Sequence, residues 1–271
     1  MRVTAILGAK GGTGKSTCTL NTAAAWSAKR RVGVIDLDPQ GNLTSALAHL
    51  TTPGSATAAE VLIQAAQDPT YVIQPDAWST VQFEDKSGFW LLPTPESDQL
   101  TLANDLLVSR NVGGGSALKR ALSGVRGMDA ILIDTAPSIT RLTLNAVVAA
   151  TSVFGVTTLQ QWSVEGAVAA AAFVEQAKTL DAAEADFEAV LVNRVKGRKT
   201  QVSEKVRKVL KGSGLRLLEN QIPERSVVEA SEYLGIPVVL SEPKSDAAKA
   251  FEAAAKEMWK MSNPDKKGKK K

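Results

Sequence analysis

Cysteine and histidine each occur once, as Cys18 and His49, in a chain of 271 residues. One cysteine excludes an internal disulfide framework and leaves no thiol pair to hold an iron–sulfur cluster. His49 stands in Leu47-Ala48-His49-Leu50, a setting that suits a surface or core histidine rather than a catalytic or metal-binding one. Long apolar runs are missing too. Each is broken by Thr, Ser or Gly before the roughly 18 residues that a membrane-spanning helix needs. The amino-terminal residues lack the basic n-region and apolar h-region of a secretory leader. These absences are the ones expected of a soluble, cytoplasmic protein. No internal repeat is visible, and too few residues precede Gly8 for a helix-turn-helix module.

What the chain does contain is enough apolar residue, 44%, for a sizeable core. Short runs rich in Val, Ile and Leu recur at 3–7, 32–37, 130–133, 153–157 and 189–192, which suits strands buried on both faces of a parallel sheet. Helical patterns separate them at 15–29, 98–109, 116–122, 140–150, 164–179 and 201–210. The alternation predicts an α/β fold, a doubly wound, mostly parallel sheet with helices on both faces. Residues 51–88 have weaker periodicity and are expected to form helices and a hairpin inserted ahead of a strand at 89–92. One domain is expected over 1–262, followed by a disordered lysine-rich tail at 263–271.

Ligands in such sheets bind beyond the carboxyl ends of the strands, so motifs just after strands carry the chemistry. The first is Lys10-Gly11-Gly12-Thr13-Gly14-Lys15-Ser16-Thr17, between the run at 3–7 and the helix from 15. Gly11, Gly12 and Gly14 let backbone N–H groups wrap a phosphate, Lys15 reaches the β- and γ-phosphates, and the Ser16 hydroxyl suits Mg2+. This pattern resembles the phosphate loop of a P-loop NTPase, with a nucleotide and Mg2+ as the expected ligands. The second motif, Asp36-Leu37-Asp38-Pro39-Gln40-Gly41-Asn42, ends the run at 32–37. Its two carboxylates are placed to hold metal-bound water or orient a nucleophile. The third, Ile131-Leu132-Ile133-Asp134-Thr135-Ala136-Pro137-Ser138, has the form of a strand ending in a magnesium-binding carboxylate, Asp134, which acts through water.

The common loop pattern wants glycine at position 9, where this chain has Ala9 followed by Lys10. That second lysine resembles the deviant Walker A motif of the ParA/MinD family of ATPases. The Asp-Leu-Asp-Pro-Gln-Gly-Asn segment is similar to the family's switch segment. So is the carboxyl-terminal pattern from Ile222-Pro223-Glu224-Arg225 through Gly235-Ile236-Pro237 to Pro243-Lys244-Ser245, so the resemblance covers nearly the whole chain. Ala136, where the family more often has proline, is a departure.

The resemblance implies a homodimer around ATP, with Lys15 acting on its own subunit's nucleotide and Lys10 reaching the partner's. Asp38 would assist hydrolysis, with Asp36 nearer the magnesium shell; Asn193 and Pro223 would contact adenine. Trp162, after Gln160-Gln161, is a candidate for the edge of the dimer interface. Hydrolysis would be slow and stimulated by a ParB-like partner. It also implies a DNA-partitioning role, in plasmid or chromosome segregation, in which the ATP-bound dimer binds nucleoid DNA without sequence preference and hydrolysis releases it. The DNA contacts would be basic residues in this half of the chain: Lys196, Arg198, Lys199, Lys205, Arg207, Lys208 and Lys211. On the helix at 201–210, Val202, Val206, Val209 and Leu210 are expected to form the apolar stripe beneath those cations. Two alternatives within the family are a positioner of a protein cargo and a MinD-like membrane ATPase. The second needs an amphipathic carboxyl-terminal helix with apolar anchors, and residues 246–261 read better as a closing helix packed on the sheet, so no stable membrane association is expected.

Overall fold

Residues Arg2–Leu7 form the first strand, β1, with Val3, Ala5 and Leu7 turned to one face of the sheet and Ile6 to the other. The computed structural model describes residues 1–8, 10–84, 87–95, 98–110, 113–180, 182–197 and 200–262. After β1 come α1 (Lys15–Ser27), β2 (Val32–Leu37), α2 (Asn42–Leu47), β3 (Thr51–Thr52), α3 (Ala58–Gln67), β4 (Ser79–Gln82) and β5 (Gly88–Leu92). Then follow α4 (Gln99–Ser109), α5 (Ala117–Leu122), β6 (Ala130–Thr135), α6 (Arg141–Ala149), β7 (Ser152–Thr157), α7 (Gln161–Thr179) and β8 (Asp186–Val192). The chain closes with α8 (Gln201–Gly212), α9 (Ser226–Leu234), α10 (Val238–Ser241) and α11 (Asp246–Met261).

Among the described residues, eight strands make one sheet in the order β3-β4-β5-β2-β6-β1-β7-β8. From β5 to β8 every pairing is parallel; only β3 with β4 and β4 with β5 run antiparallel. Helices α3 to α7 cover one face, burying Leu62, Leu100, Leu118, Leu142 and Val174 against Ile35, Ile131 and Ile133. The other face packs α1, α2, α10 and α11 onto Val32, Val34 and Leu132. This is the doubly wound α/β architecture expected from the sequence.

α11 is held by its apolar side: Phe251, Ala254, Ala255 and Met258 are all buried, and the helix packs along α1. Trp26 Nε1 donates to the Ala255 carbonyl at 2.9 Å, and the Trp26 and Trp259 rings meet edge to face at 5.1 Å. Burial of the Phe251 ring alone stabilises this docking by about 1.5–3 kcal/mol.

Two expectations need correction. The hairpin is not inserted ahead of the 89–92 strand but includes it: β4 turns back onto β5, and alternate burial along Ser79–Gln82 marks β4 as a strand near the sheet's edge. The stripe on α8 is also narrower than its periodicity suggests. Val206 and Leu210 are buried with Val164 and Val192, whereas Val202 and Val209 are 67% and 57% exposed. α8 packs on the small cluster of Val164 and Val192, which covers one ridge of its apolar face and leaves the other to solvent. The lysine tail at 263–271 lies outside the described residues, as do Arg198 and Lys199.

Candidate nucleotide-binding site

The sheet order brings the carboxyl ends of β2, β6 and β1 side by side. Asp36 lies opposite Asp134 in the β2–β6 register, and Ile6 opposite Asp134 in the β1–β6 register. The loop after β1 enters α1 through Gly14, whose φ of 83° and ψ of 34° lie in the left-handed region that glycine tolerates. No side-chain oxygen caps this helix. Its first N–H groups are therefore free to bind an anion, and the helix dipole adds to their pull.

A cavity of about 420 Å³ opens over this helix end. Gly11, Gly12, Gly14, Lys15, Ser16 and Thr17 line it from the loop, and Asp38 from the end of β2. Lys15 is buried, and desolvation pushes its ammonium below the ordinary lysine value while Asp134 and Asp38 pull it back up. Gly8 makes room for its stem: a Cβ there would lie 3.1 Å from Lys15 Cδ and 2.9 Å from the Val156 carbonyl oxygen.

Ser16 Oγ donates to Asp134 Oδ2 at 2.6 Å, and Thr19 Oγ1 donates to Asp134 Oδ1 at 3.0 Å. Burial, together with the neighbouring Asp36 charge, raises the Asp134 carboxyl above its usual range, and burial does the same to Asp36. The Ser16 hydroxyl on the cavity wall, with the buried Asp134 carboxylate against it, is a hard, all-oxygen donor pair, and the cavity has room for phosphate oxygens. That combination fits Mg2+, which is bound by one or two carboxylates plus substrate phosphates rather than by an all-protein cage. No cluster of three or more His, Cys, Asp or Glu that would suit such a cage occurs among the described residues.

Asp36 is fully buried. Its Oδ1 accepts the Asp38 N–H at 3.1 Å, and its Oδ2 accepts the Thr44 N–H and hydroxyl at 3.0 and 2.7 Å. Thr94, at the end of β5, donates to the carbonyls of both Asp36 and Asp38 at 2.9 and 3.1 Å. Asp38 itself accepts the Gln40 N–H at 3.0 Å. The segment that carries Asp38 is thus braced from three directions.

Asn193, at the end of β8, does not line the cavity. Its Nδ2 donates to the Thr13 carbonyl at 2.9 Å and holds the phosphate loop from behind. Its neighbour Arg194 lines the cavity instead, at φ 53°, the one positive φ at a non-glycine among the described residues. Arg194 Nη2 lies 3.8 Å from Glu232 Oε1, an oxygen that also accepts the Thr17 hydroxyl, so α9 is tied across the cavity mouth. Arg194 and Glu232 had no motif to single them out. Pro223 bridges to Val195 and lies away from the cavity lining, as does Lys10, whose carbonyl accepts the Thr13 hydroxyl at 3.4 Å.

Among the basic residues, Lys205, Lys208 and Lys211 are exposed on α8, while Arg207 is half-buried and donates to Gln221 Oε1 at 3.0 Å. Lys196 lies 3.9 Å from Glu224, on a second groove of about 330 Å³ that shares Gly11, Gly12 and Arg194 with the first. No described helix is long and apolar enough to cross a membrane.

A family model described as an AAA domain matches residues 1–187. Sporulation initiation inhibitor protein Soj of Bacillus subtilis is 30% identical over 265 residues, spanning 95% of this chain and 98% of its own. The chain belongs to the ParA/Soj/MinD family of P-loop ATPases. Solved structures share the fold of this ParA/Soj/MinD family member. Apo McdA of Cyanothece superposes with a TM-score of 0.79 at 25% identity, covering 96% of this chain and 99% of that one. A Mycobacterium smegmatis protein described as cobyrinic acid a,c-diamide synthase, with bound ADP and magnesium, superposes with a TM-score of 0.76 at 28% identity over 97% of each chain.

Proposed function

We propose that this chain binds and slowly hydrolyses ATP as a dimer, and that its two nucleotide states bind and release DNA to partition or position a cargo. The observation that carries the reading is the meeting, at one cavity, of an uncapped helix N-terminus, a buried lysine, Asp38 and Ser16, whose hydroxyl is held by the buried Asp134 carboxylate. Gly11 to Thr17 hold the phosphates by their N–H groups, and Lys15 neutralises charge on the γ-phosphate. Magnesium, when bound, would neutralise the β- and γ-phosphate oxygens; Ser16 and Asp134 would hold it, with Asp36 fixing the wall behind. Asp38 orients the attacking water in line with the γ-phosphate.

Lys10, outside the cavity of its own subunit, is assigned to the nucleotide of the partner, as in the family this chain resembles. Trp162 and Ile139, 67% and 50% exposed, are suited to be covered by a second copy. Lys196, Lys205, Lys208 and Lys211 supply a clustered cationic face without a base-reading element, which is what a duplex-phosphate surface requires. Arg198, Lys199 and the lysine tail extend the same charge in sequence. The membrane alternative is disfavoured because the apolar side of α11 is committed to α1.

The test is a salt titration of binding to random-sequence duplex DNA and to anionic vesicles, each with ATP and with ADP. The expected outcome is binding to duplex with ATP only, weakening linearly in log affinity against log salt. ATP-dependent vesicle binding without DNA binding would overturn it in favour of a membrane-associated cycle.

A further inference from the structure

At the end of the sheet opposite the nucleotide cavity, a second cleft of about 360 Å³ opens at the amino ends of β2, β5 and β6. The five residue steps along β2 from Val32 to Leu37 separate the two sites by roughly 15–20 Å. Trp78 and Trp90 form its walls with Met128, and Arg31 and Arg126 stand among its lining residues. Gly33 allows this arrangement. It lies opposite Trp90 in the β2–β5 register, and a Cβ on it would come 2.8 Å from Met128 Sδ and 3.2 Å from Trp78 Cζ3.

The rim is positively charged and only partly engaged. Arg126 Nη1 donates to the carbonyls of Ser123 and Val125 at 2.6 and 3.1 Å, which pins the guanidinium to the loop. A Cβ on Gly127 would lie 3.7 Å from Arg31 Nη1, so the second guanidinium rests beside that loop's backbone. Among the described residues neither arginine is within ion-pair distance of a carboxylate. The acids nearby in the chain are Asp129, which accepts the Arg31 backbone N–H at 2.8 Å, and Asp76 beside the lining residue Pro75.

An apolar, aromatic-walled hollow with a few polar groups at its mouth is the general form of a small-molecule site, and a guanidinium matches a carboxylate with two parallel hydrogen bonds. We propose that this cleft binds a planar aromatic carboxylate, its ring between Trp78, Trp90 and Met128 and its anion on Arg31 and Arg126. The monoanion is favoured over a phosphate dianion because Asp129, which accepts the Arg31 N–H, and Asp76, next to the lining residue Pro75, add negative charge that opposes a second one on the ligand. The site is independent of the nucleotide cavity and does not rest on the ATPase reading.

The test is isothermal titration of the full chain with 2-naphthoate, neutral 2-naphthamide and 1-naphthyl phosphate, with and without saturating ADP and magnesium. One equivalent of 2-naphthoate should bind under both conditions, with the amide weaker by about tenfold or more. In a variant carrying Arg31→Gln and Arg126→Gln, that preference for the acid should disappear while ADP affinity stays unchanged and urea unfolding remains cooperative. The proposal is overturned by no binding of 2-naphthoate, by equal affinity for acid and amide, or by displacement with ADP. Tighter binding of the naphthyl phosphate overturns the monoanion assignment.

Discussion

The tie between Asn193 and the phosphate loop lends itself to a double-mutant cycle. A Cβ on Gly14 would fall 2.2 Å from Asn193 Nδ2, far inside contact distance. Gly14→Ala therefore does two things. It places a side chain at φ 83°, which costs about 1–2 kcal/mol, and it drives the Asn193 amide off the Thr13 carbonyl. Breaking that buried hydrogen bond costs about 1–3 kcal/mol, so the single variant should lose roughly 2–5 kcal/mol. Asn193→Ala loses the same hydrogen bond without the backbone strain.

In the double variant the shared hydrogen-bond loss is counted once, and the new methyl no longer meets the amide. Its destabilisation should fall short of the sum of the singles by about 1–3 kcal/mol. The smaller unfolded-state entropy of Ala against Gly appears in both arms of the cycle and cancels. Urea unfolding without nucleotide, analysed at constant m-value, measures all four corners. Additivity within about 0.5 kcal/mol would refute the claim that the Asn193 amide is what Gly14 must avoid.

Asp38→Ala should leave ATP affinity within a few-fold of the parent and cut turnover by about 10²–10⁴, read by phosphate release; normal turnover would remove Asp38 from the water-positioning role. Gly235→Ala should be severe, because the glycine sits at φ 65° and a Cβ would lie 1.9 Å from the Ala46 carbonyl oxygen, so α9 must separate from α2. A loss above about 2 kcal/mol in unfolding free energy is expected, with weakened nucleotide binding. Cys18 is 2% exposed and its thiol is pushed upward by burial and the Asp134 charge, so native protein should resist thiol reagents and label at the rate of opening. Fast labelling without denaturant would show that α1 is less firmly seated than described.

The parts of this molecule that were readable in sequence are those whose meaning is local. The phosphate loop, the strand-end aspartates Asp38 and Asp134, and the apolar runs of the parallel strands each announce themselves within a few residues. What was not readable depends on which element becomes a neighbour. Asn193 was legible as a polar residue after a strand, but nothing nearby shows that its amide turns to Thr13 and leaves the cavity to Arg194. Thr94 and Glu232 lack any motif and acquire a role only because β5 pairs with β2 and α9 crosses the mouth. On α8, periodicity identified a face, and the small cluster with Val164 and Val192 decided how much of that face found cover.

The contacts that complete the nucleotide cavity also bear on how the chain folds. Ser16 meets Asp134 across 118 residues of sequence, and Thr13 meets Asn193 across 180. Contacts of such separation have to wait for slow, non-local closure, after local helices have formed. A nascent chain that has emerged only as far as β7 carries the whole phosphate loop but not the residue that braces it. Nucleotide affinity in this protein is therefore expected to be a late readout of synthesis, gained when β8 joins the sheet and not when the loop itself appears.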